Sequence, residues 1–220
     1  LLKKNNGGKG KLIAGTSLAE PANVLIIGAG IVGINAMQMS LGLGASTTLL
    51  DINNELLNNI KSQYPAVNVA ESSEKVIKNL LPMIDIVVGA VLTPGGKPPT
   101  VITKDMLSLM EPKSILSDVS VDQGGCFETS KPTTHGEPTY EVDSIIHYCV
   151  KNIPSAVPYT ATNALNEATK PFILKFANSG LHGLFNDDKL LMALNTYKGK
   201  LTNLEVAEAH SLSFTTPESV

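Results

Sequence analysis

Gly28-Ala29-Gly30-Ile31-Val32-Gly33 spells G-x-G-x-x-G, and each glycine answers a different physical demand. Gly28 suits a tight turn out of a strand. Gly30 lets backbone approach a pyrophosphate, and Gly33 lets a helix pack close on the strand. The free N–H groups and the dipole of a helix opening at Ile31 and Val32 would then hold phosphates. Asp51 ends the next apolar run at roughly the 20-residue spacing expected of a carboxylate that grips adenosine ribose hydroxyls. The chemistry indicated is dinucleotide binding. A carboxylate there repels a 2′-phosphate and the chain has no arginine to welcome one, so NAD is favoured over NADP. The bland alternative is a chance glycine cluster, with Asp51 starting a turn or capping a helix.

Ser120-Val121-Asp122-Gln123-Gly124-Gly125-Cys126 is the second cluster, directly after an apolar run at 114–119. Carboxyl ends of strands face the ligand crevice in an open α/β sheet, which would put Asp122 near a nicotinamide. An acid in a solvated glycine loop is an equally good reading of the spacing. Cys126 beside two glycines invites a reactive-thiol reading, but nothing in the sequence lowers its pKa. His147 sits in an apolar run and reads as a hydrogen-bonded core residue. His135 reads as structural, and His182 and His210 as surface residues. The Cys and His residues lack zinc-like pairing, so no metal site is expected.

The elements that must position these clusters are short apolar strands alternating with helices. Strands are predicted at 24–27, 47–51, 67–69, 84–90, 114–119 and 145–150, which implies a parallel, doubly wound sheet of the Rossmann type. A helix over 31–43 places Val32, Ala36, Met39 and Leu43 on one face, and Gly44 ends it. Helices are also predicted over 53–63, 73–81 and 103–110. Beyond residue 158 the pattern turns helical, with Pro171 kinking one helix or opening another. The expected division is a nucleotide-binding domain over 1–157, including a polar approach segment, and a helical part of a second domain over 158–220. The lysines at 3, 4, 9 and 11 read as a solvated face. A net charge of -3 gives no footprint for nucleic acid, and no apolar run is long enough to span a membrane. Two cysteines make no disulfide framework, which suits a cytoplasmic protein.

GAGIVGINA, LLDIN, GAVLTPGGKPP, DVSVDQGGCFETSKPTTHGEPTY, HYCVKNIPSAVP and the closing VAEAH together resemble the alanine dehydrogenase family, over essentially the whole chain. The related NAD(H)-binding subunit of proton-translocating transhydrogenase is the nearest competitor. The resemblance implies an NAD-dependent oxidoreductase that reversibly deaminates L-alanine to pyruvate and ammonia, working as a homo-oligomer. It assigns proton handling to Asp122 and part of the nicotinamide pocket to Asn152. Ser72 or Ser73, Leu92 and Val119 match positions near the adenine, ribose or nicotinamide. Leu56 stands where the family often carries a basic residue, and the loop at 93–99 matches one able to move over the cofactor. The family's substrate-gripping arginine and lysine and its acid–base histidine find no match here. Taken alone, the chain is therefore expected to bind cofactor and catalyse little. A non-catalytic NAD-binding module is the alternative from another class.

Overall fold

The computed structural model describes residues 1–93 and 96–219. Pro94 and Gly95 lie outside the described residues, so the movement expected of the 93–99 loop does too. Contacts divide the chain into two compact units, one of residues 1–93 and 97–151, the other running on from Asn152.

In the first unit the unalternated run Val24-Leu25-Ile26-Ile27 forms the interior of β1 (Asn23–Ile27), buried because both of its faces are covered. It leads into α1 (Ile31–Gly42), β2 (Ser46–Asp51), α2 (Asn54–Gln63), β3 (Asn68–Glu71) and α3 (Glu74–Leu80). Next come β4 (Ile86–Gly89), β5 (Ile115–Asp118), β6 (Thr139–Val142) and β7 (Ile145–Tyr148). The sheet order is β3-β2-β1-β4-β5-β7-β6, parallel throughout except for β6 against β7. The chain winds outward from β1 to β3 and then returns to β4 on the other side of β1. That reversal opens a crevice between the carboxyl ends of β1 and β4. One face of the sheet packs Leu25, Ile27, Leu50 and Val87 against α3 and the short 3-10 helix Asp105–Leu109. The other packs Val24, Ile26 and Leu49 against α1 and α2.

Three sequence expectations change. The buried face of α1 carries Gly33 and Met37, while Val32, Met39 and Leu43 are exposed. This helix is apolar almost all round, so periodicity could not choose the face; contact with β1 and β2 does. The edge strand β6 was not expected. Its residues alternate between exposed and half-buried, and it reaches β7 through Asp143 and Ser144, both left-handed (φ 50 and 65), the two-residue turn that suits a twisted hairpin. Third, Lys9 and Lys11 are not merely a solvated face. Their ammonium groups lie 3.1 and 2.6 Å from the buried carboxylate of Asp85, which also accepts the Asn23 N–H at 2.9 Å. Residues 1–13 are thereby tied to the amino end of the sheet, with Leu2 packed among Ala22, Ile115 and Ile146.

The second unit contains α4 (Pro158–Phe185), α5 (Asp188–Met192), the hairpin β8 (Thr196–Tyr197) and β9 (Lys200–Leu201), and α6 (Leu204–His210). Pro171 sits inside α4, and the backbone leaves helical geometry at Gly180 instead (φ 56, ψ -150). The hairpin was not expected: it falls between helical patterns at 187–194 and 203–209, in a part of the chain that showed no obvious strand. No helix among the described residues is long and apolar enough to cross a membrane.

Burial opposes ionisation of Asp85, but hydrogen bonds from Lys11, the Asn23 N–H and Lys9 outweigh it and hold the carboxyl below its ordinary range. A folded pKa below the unfolded one stabilises above the unfolded value and loses that contribution as pH falls through the folded one. Asp85→Asn should therefore cost about 2 kcal/mol at neutral pH. In urea melts the gap from the parent chain should begin to narrow as pH falls below about 4 and go on closing as the folded carboxyl is protonated. A gap independent of pH would show that the charge is not what holds the segment.

Candidate functional site

The turn out of β1 is built on contacts that exclude side chains. Gly28 is left-handed (φ 104), and a Cβ there would stand 2.5 Å from the Ala90 carbonyl oxygen. A Cβ on Gly33 would overlap the Gly28 carbonyl oxygen, so α1 can rest on the strand end only if residue 33 is glycine. Gly30 differs: it caps α1 with extended backbone, and a Cβ there would meet nothing within 4 Å. Packing explains two of the glycines; the third leaves open space at the helix start. Ile31 and Val32 are exposed there, and first-turn N–H groups have no acceptor within the helix. The positive end of a 12-residue helix thus faces outward beside the crevice.

Asp51 ends β2 beside this turn. Its Oδ2 accepts the Ala29 N–H at 2.7 Å and its Oδ1 the Asn53 N–H at 2.9 Å. The turn-forming role weighed for Asp51 is therefore real. The helix-capping role belongs to Asn53, whose side chain accepts the Leu56 N–H at 3.0 Å. A carboxylate has about four lone-pair sites, so two backbone partners leave room for ribose hydroxyls. Leu56 itself is half-buried against α2's packing face. Ser72 follows β3 and donates its N–H to the Asp51 carbonyl at 2.8 Å. With Ser73, Ile77, Thr100, Thr103 and Met106 it lines a cavity of about 240 Å³.

Leu92 is exposed beyond β4. Beyond β5, half-buried Val119 opens a 3-10 turn over Val119–Gln123, and Asp122 is exposed on it. Gly124 and Gly125 are left-handed (φ 102 and 78) and bring the chain back toward the sheet. Asn152 lies beyond β7 in sequence, is itself left-handed and belongs to the second unit; its role rests on the resemblance alone. The structure thus gathers Gly28–Gly33, Asp51, Ser72, Leu92, Val119 and Asp122 at the carboxyl ends of five adjacent parallel strands.

Sequence reasoning missed Asp118. It ends β5 as Asp51 ends β2, which was the available signal, but Asp122 drew the attention. Asp118 is fully buried and accepts the N–H groups of Ser120 (3.0 Å), Cys126 (2.9 Å) and Phe127 (3.3 Å) and the hydroxyl of Ser130. The Cys126 thiol is also buried. Desolvation, reinforced by the Asp118 charge, pushes its pKa far up, so the reactive-thiol reading has no support. His147 is a core residue as expected, bonded to Thr129 Oγ1 (2.7 Å) and the Ile145 carbonyl (3.0 Å). Burial lowers its pKa and keeps it neutral.

The glycine contacts predict a contrast. Gly33→Ala should destabilise the chain by about 2 kcal/mol or more, because the overlap is with backbone. Gly30→Ala should leave the thermal midpoint essentially unchanged. Equal midpoints for the two variants would contradict the division between packed and open glycines.

With this geometry in place, the relatives of the chain become informative. The family model described as alanine dehydrogenase/PNT, C-terminal domain, matches residues 1–204. The chain is 47% identical over 215 residues to an alanine dehydrogenase of Halomonas elongata, covering 97% of this chain and 58% of that one. It is 40% identical over 216 residues to that of Mycolicibacterium smegmatis, with the same coverages. A solved L-alanine dehydrogenase superposes with a TM-score of 0.86 at 40% identity, over 96% of this chain and 58% of the other. A transhydrogenase from Sinorhizobium meliloti shares the fold, with a TM-score of 0.67 at 18% identity over 88% of this chain and 53% of the other. The chain spans 58% of the length of these two curated relatives. At this identity and coverage, the chain belongs to the alanine dehydrogenase/PNT C-terminal domain family.

Proposed function

We propose that the chain binds NAD across the carboxyl ends of β3, β2, β1, β4 and β5 and serves the reversible oxidative deamination of L-alanine. In that reaction L-alanine, NAD⁺ and water give pyruvate, ammonium, NADH and a proton. The observation that carries the reading is the open space over Gly30 at the start of α1, flanked by the strand-end carboxylate of Asp51. Nothing in the protein's own packing requires glycine at that position. A pyrophosphate approaching first-turn N–H groups does. The domain division proposed with it gives 1–157 to the cofactor and 158–220 to the substrate domain.

NAD, when bound, supplies the hydride acceptor; the chain supplies position and field. The N–H groups opening α1 hold phosphate charge. Asp51, already fixed by the Ala29 and Asn53 amides, accepts from ribose hydroxyls at no further cost in ordering. Its negative charge disfavours a 2′-phosphate. Asp122, on the exposed turn after β5, takes and returns the proton of the substrate nitrogen. Assembly with further copies of the chain is proposed on the resemblance alone.

Calorimetric titration with NADH tests the reading, and saturable binding is expected. Asp51→Ala should weaken NADH binding by about tenfold and narrow the preference over NADPH. Unchanged cofactor preference would remove Asp51 from the site, and no binding by the parent chain would overturn the proposal. Where alanine-dependent NAD reduction is detectable, Asp122→Ala should lower turnover by about a hundredfold and NADH affinity far less. Parental turnover would end the proton-handling role.

A further inference from the structure

We infer that Asp118 is a positioning residue for the nicotinamide half of the cofactor site, an inference that rests on the NAD-binding reading above. Its carboxylate is fully buried, so it touches neither cofactor nor substrate. What it holds is the loop that carries Val119 and Asp122. Oδ1 accepts the Ser120 N–H, fixing the first turn of that loop. Oδ2 accepts the N–H groups of Cys126 and Phe127 and the Ser130 hydroxyl, fixing the return. One side chain thus closes the loop at both ends, its two oxygens shared among several backbone donors.

The backbone of the loop is shaped to that carboxylate. Gly125 is left-handed, and a Cβ on it would stand 2.8 Å from Asp118 Oδ2 and 2.8 Å from Ser130 Cβ. Gly89, at the end of β4, admits the Cys126 side chain where any Cβ would collide with its sulfur. The opening turn is stitched to the neighbouring strand exit as well, since the Ser120 hydroxyl donates to the Val91 carbonyl at 2.6 Å. Ser130 accepts the Cys149 thiol at 3.8 Å, linking the return to the end of β7. Asp122 therefore stands on a turn whose every exit is held by Asp118 or by a group bonded to it. The adenosine half is held independently: the partners of Asp51 are Ala29 and Asn53, with no bond to Asp118.

That independence makes the role separable from general stability. Asparagine in place of Asp118 keeps the shape, but one oxygen becomes an NH₂ group. In either orientation that group faces a backbone N–H, of Ser120 or of Cys126 and Phe127. The experiment compares NADH with ADP-ribose, which lacks nicotinamide, by calorimetry on the parent chain, Asp118→Asn and Ser130→Ala. Expected for Asp118→Asn is an about tenfold loss of NADH affinity, with ADP-ribose held within about twofold. Ser130→Ala, which removes one of the donors to Asp118 together with the acceptor of the Cys149 thiol, should shift the same ratio less, and it keeps the test alive if Asp118→Asn fails to fold. Amide exchange should quicken at Ser120, Cys126 and Phe127 and not at Ile26 or Leu49. Equal losses for both ligands would reduce Asp118 to a fold residue, and unchanged NADH affinity would show that the loop needs no such anchor. Either result overturns the inference while leaving NAD binding by the parent chain intact. Failure of the parent chain to bind NADH at all is the distinct result that removes the functional reading, and this inference with it.

Discussion

α1 begins where β1 ends because nothing projects from Gly33 toward the Gly28 carbonyl oxygen. Much of the unit is arranged around that contact. A side chain at position 33 would lift the helix off β1 and move Met37 out of the core it shares with Val24, Ile26 and Leu49. It would also tilt the first helical turn, whose N–H groups are the end proposed to hold phosphate. The second close approach, Gly28 to the Ala90 carbonyl, fixes the same turn against the exit of β4. The crevice created by the strand order is thereby lined by backbone from both of its walls.

Carboxylates at strand ends complete the framework. Asp51 is half-buried and spends one acceptor position on each of two backbone amides, so part of it still faces outward. Asp118 is fully buried and turned wholly inward. The two residues hold equivalent places on β2 and β5 but differ in what they leave free: Asp51 keeps part of its carboxylate outward, and Asp118 gives all of its own to the loop that follows it. Backbone in a loop must find acceptors somewhere, and an ionised acceptor inside the loop satisfies several donors with one side chain.

The parallel core was legible because its strands are buried on both faces and read as unbroken Val, Ile and Leu runs. The glycine turn was legible because its spacing is distinctive: Gly28 and Gly33 are demanded by sterics that no other residue meets, and Gly30 completes the pattern while leaving the helix start open. The α1 face was not, since an all-round apolar helix carries no directional signal and only the partner strands choose. Strand β6 is half-exposed and enters from a proline-rich stretch, and its turn uses Asp143-Ser144 in place of the Asn-Gly or Asp-Gly pair that marks such hairpins. Asp85 and its two lysines lie 76 and 74 residues apart, and no local pattern encodes a pairing at that range. At the candidate site the glycines, Asp51 and Asp122 were readable from residue type and spacing, whereas Asp118, whose partners lie in its own chain, needed the loop closed in three dimensions to be seen.

The docking of residues 1–13 imposes an order on folding. Leu2 and Ile13 find their partners in Ala22, Ile86, Ile115 and Ile146, and Lys9 and Lys11 find theirs in Asp85. These contacts are long-range in sequence, so their loop-closure entropy is met only after β4, β5 and β7 have joined the sheet. During synthesis this segment leaves the ribosome ahead of the strands it covers and must remain undocked until residue 146 has followed. For that interval the apolar partners already made, Leu2, Ile13, Ala22, Ile86 and Ile115, lack their full cover, the condition in which nascent chains associate with one another or with chaperones.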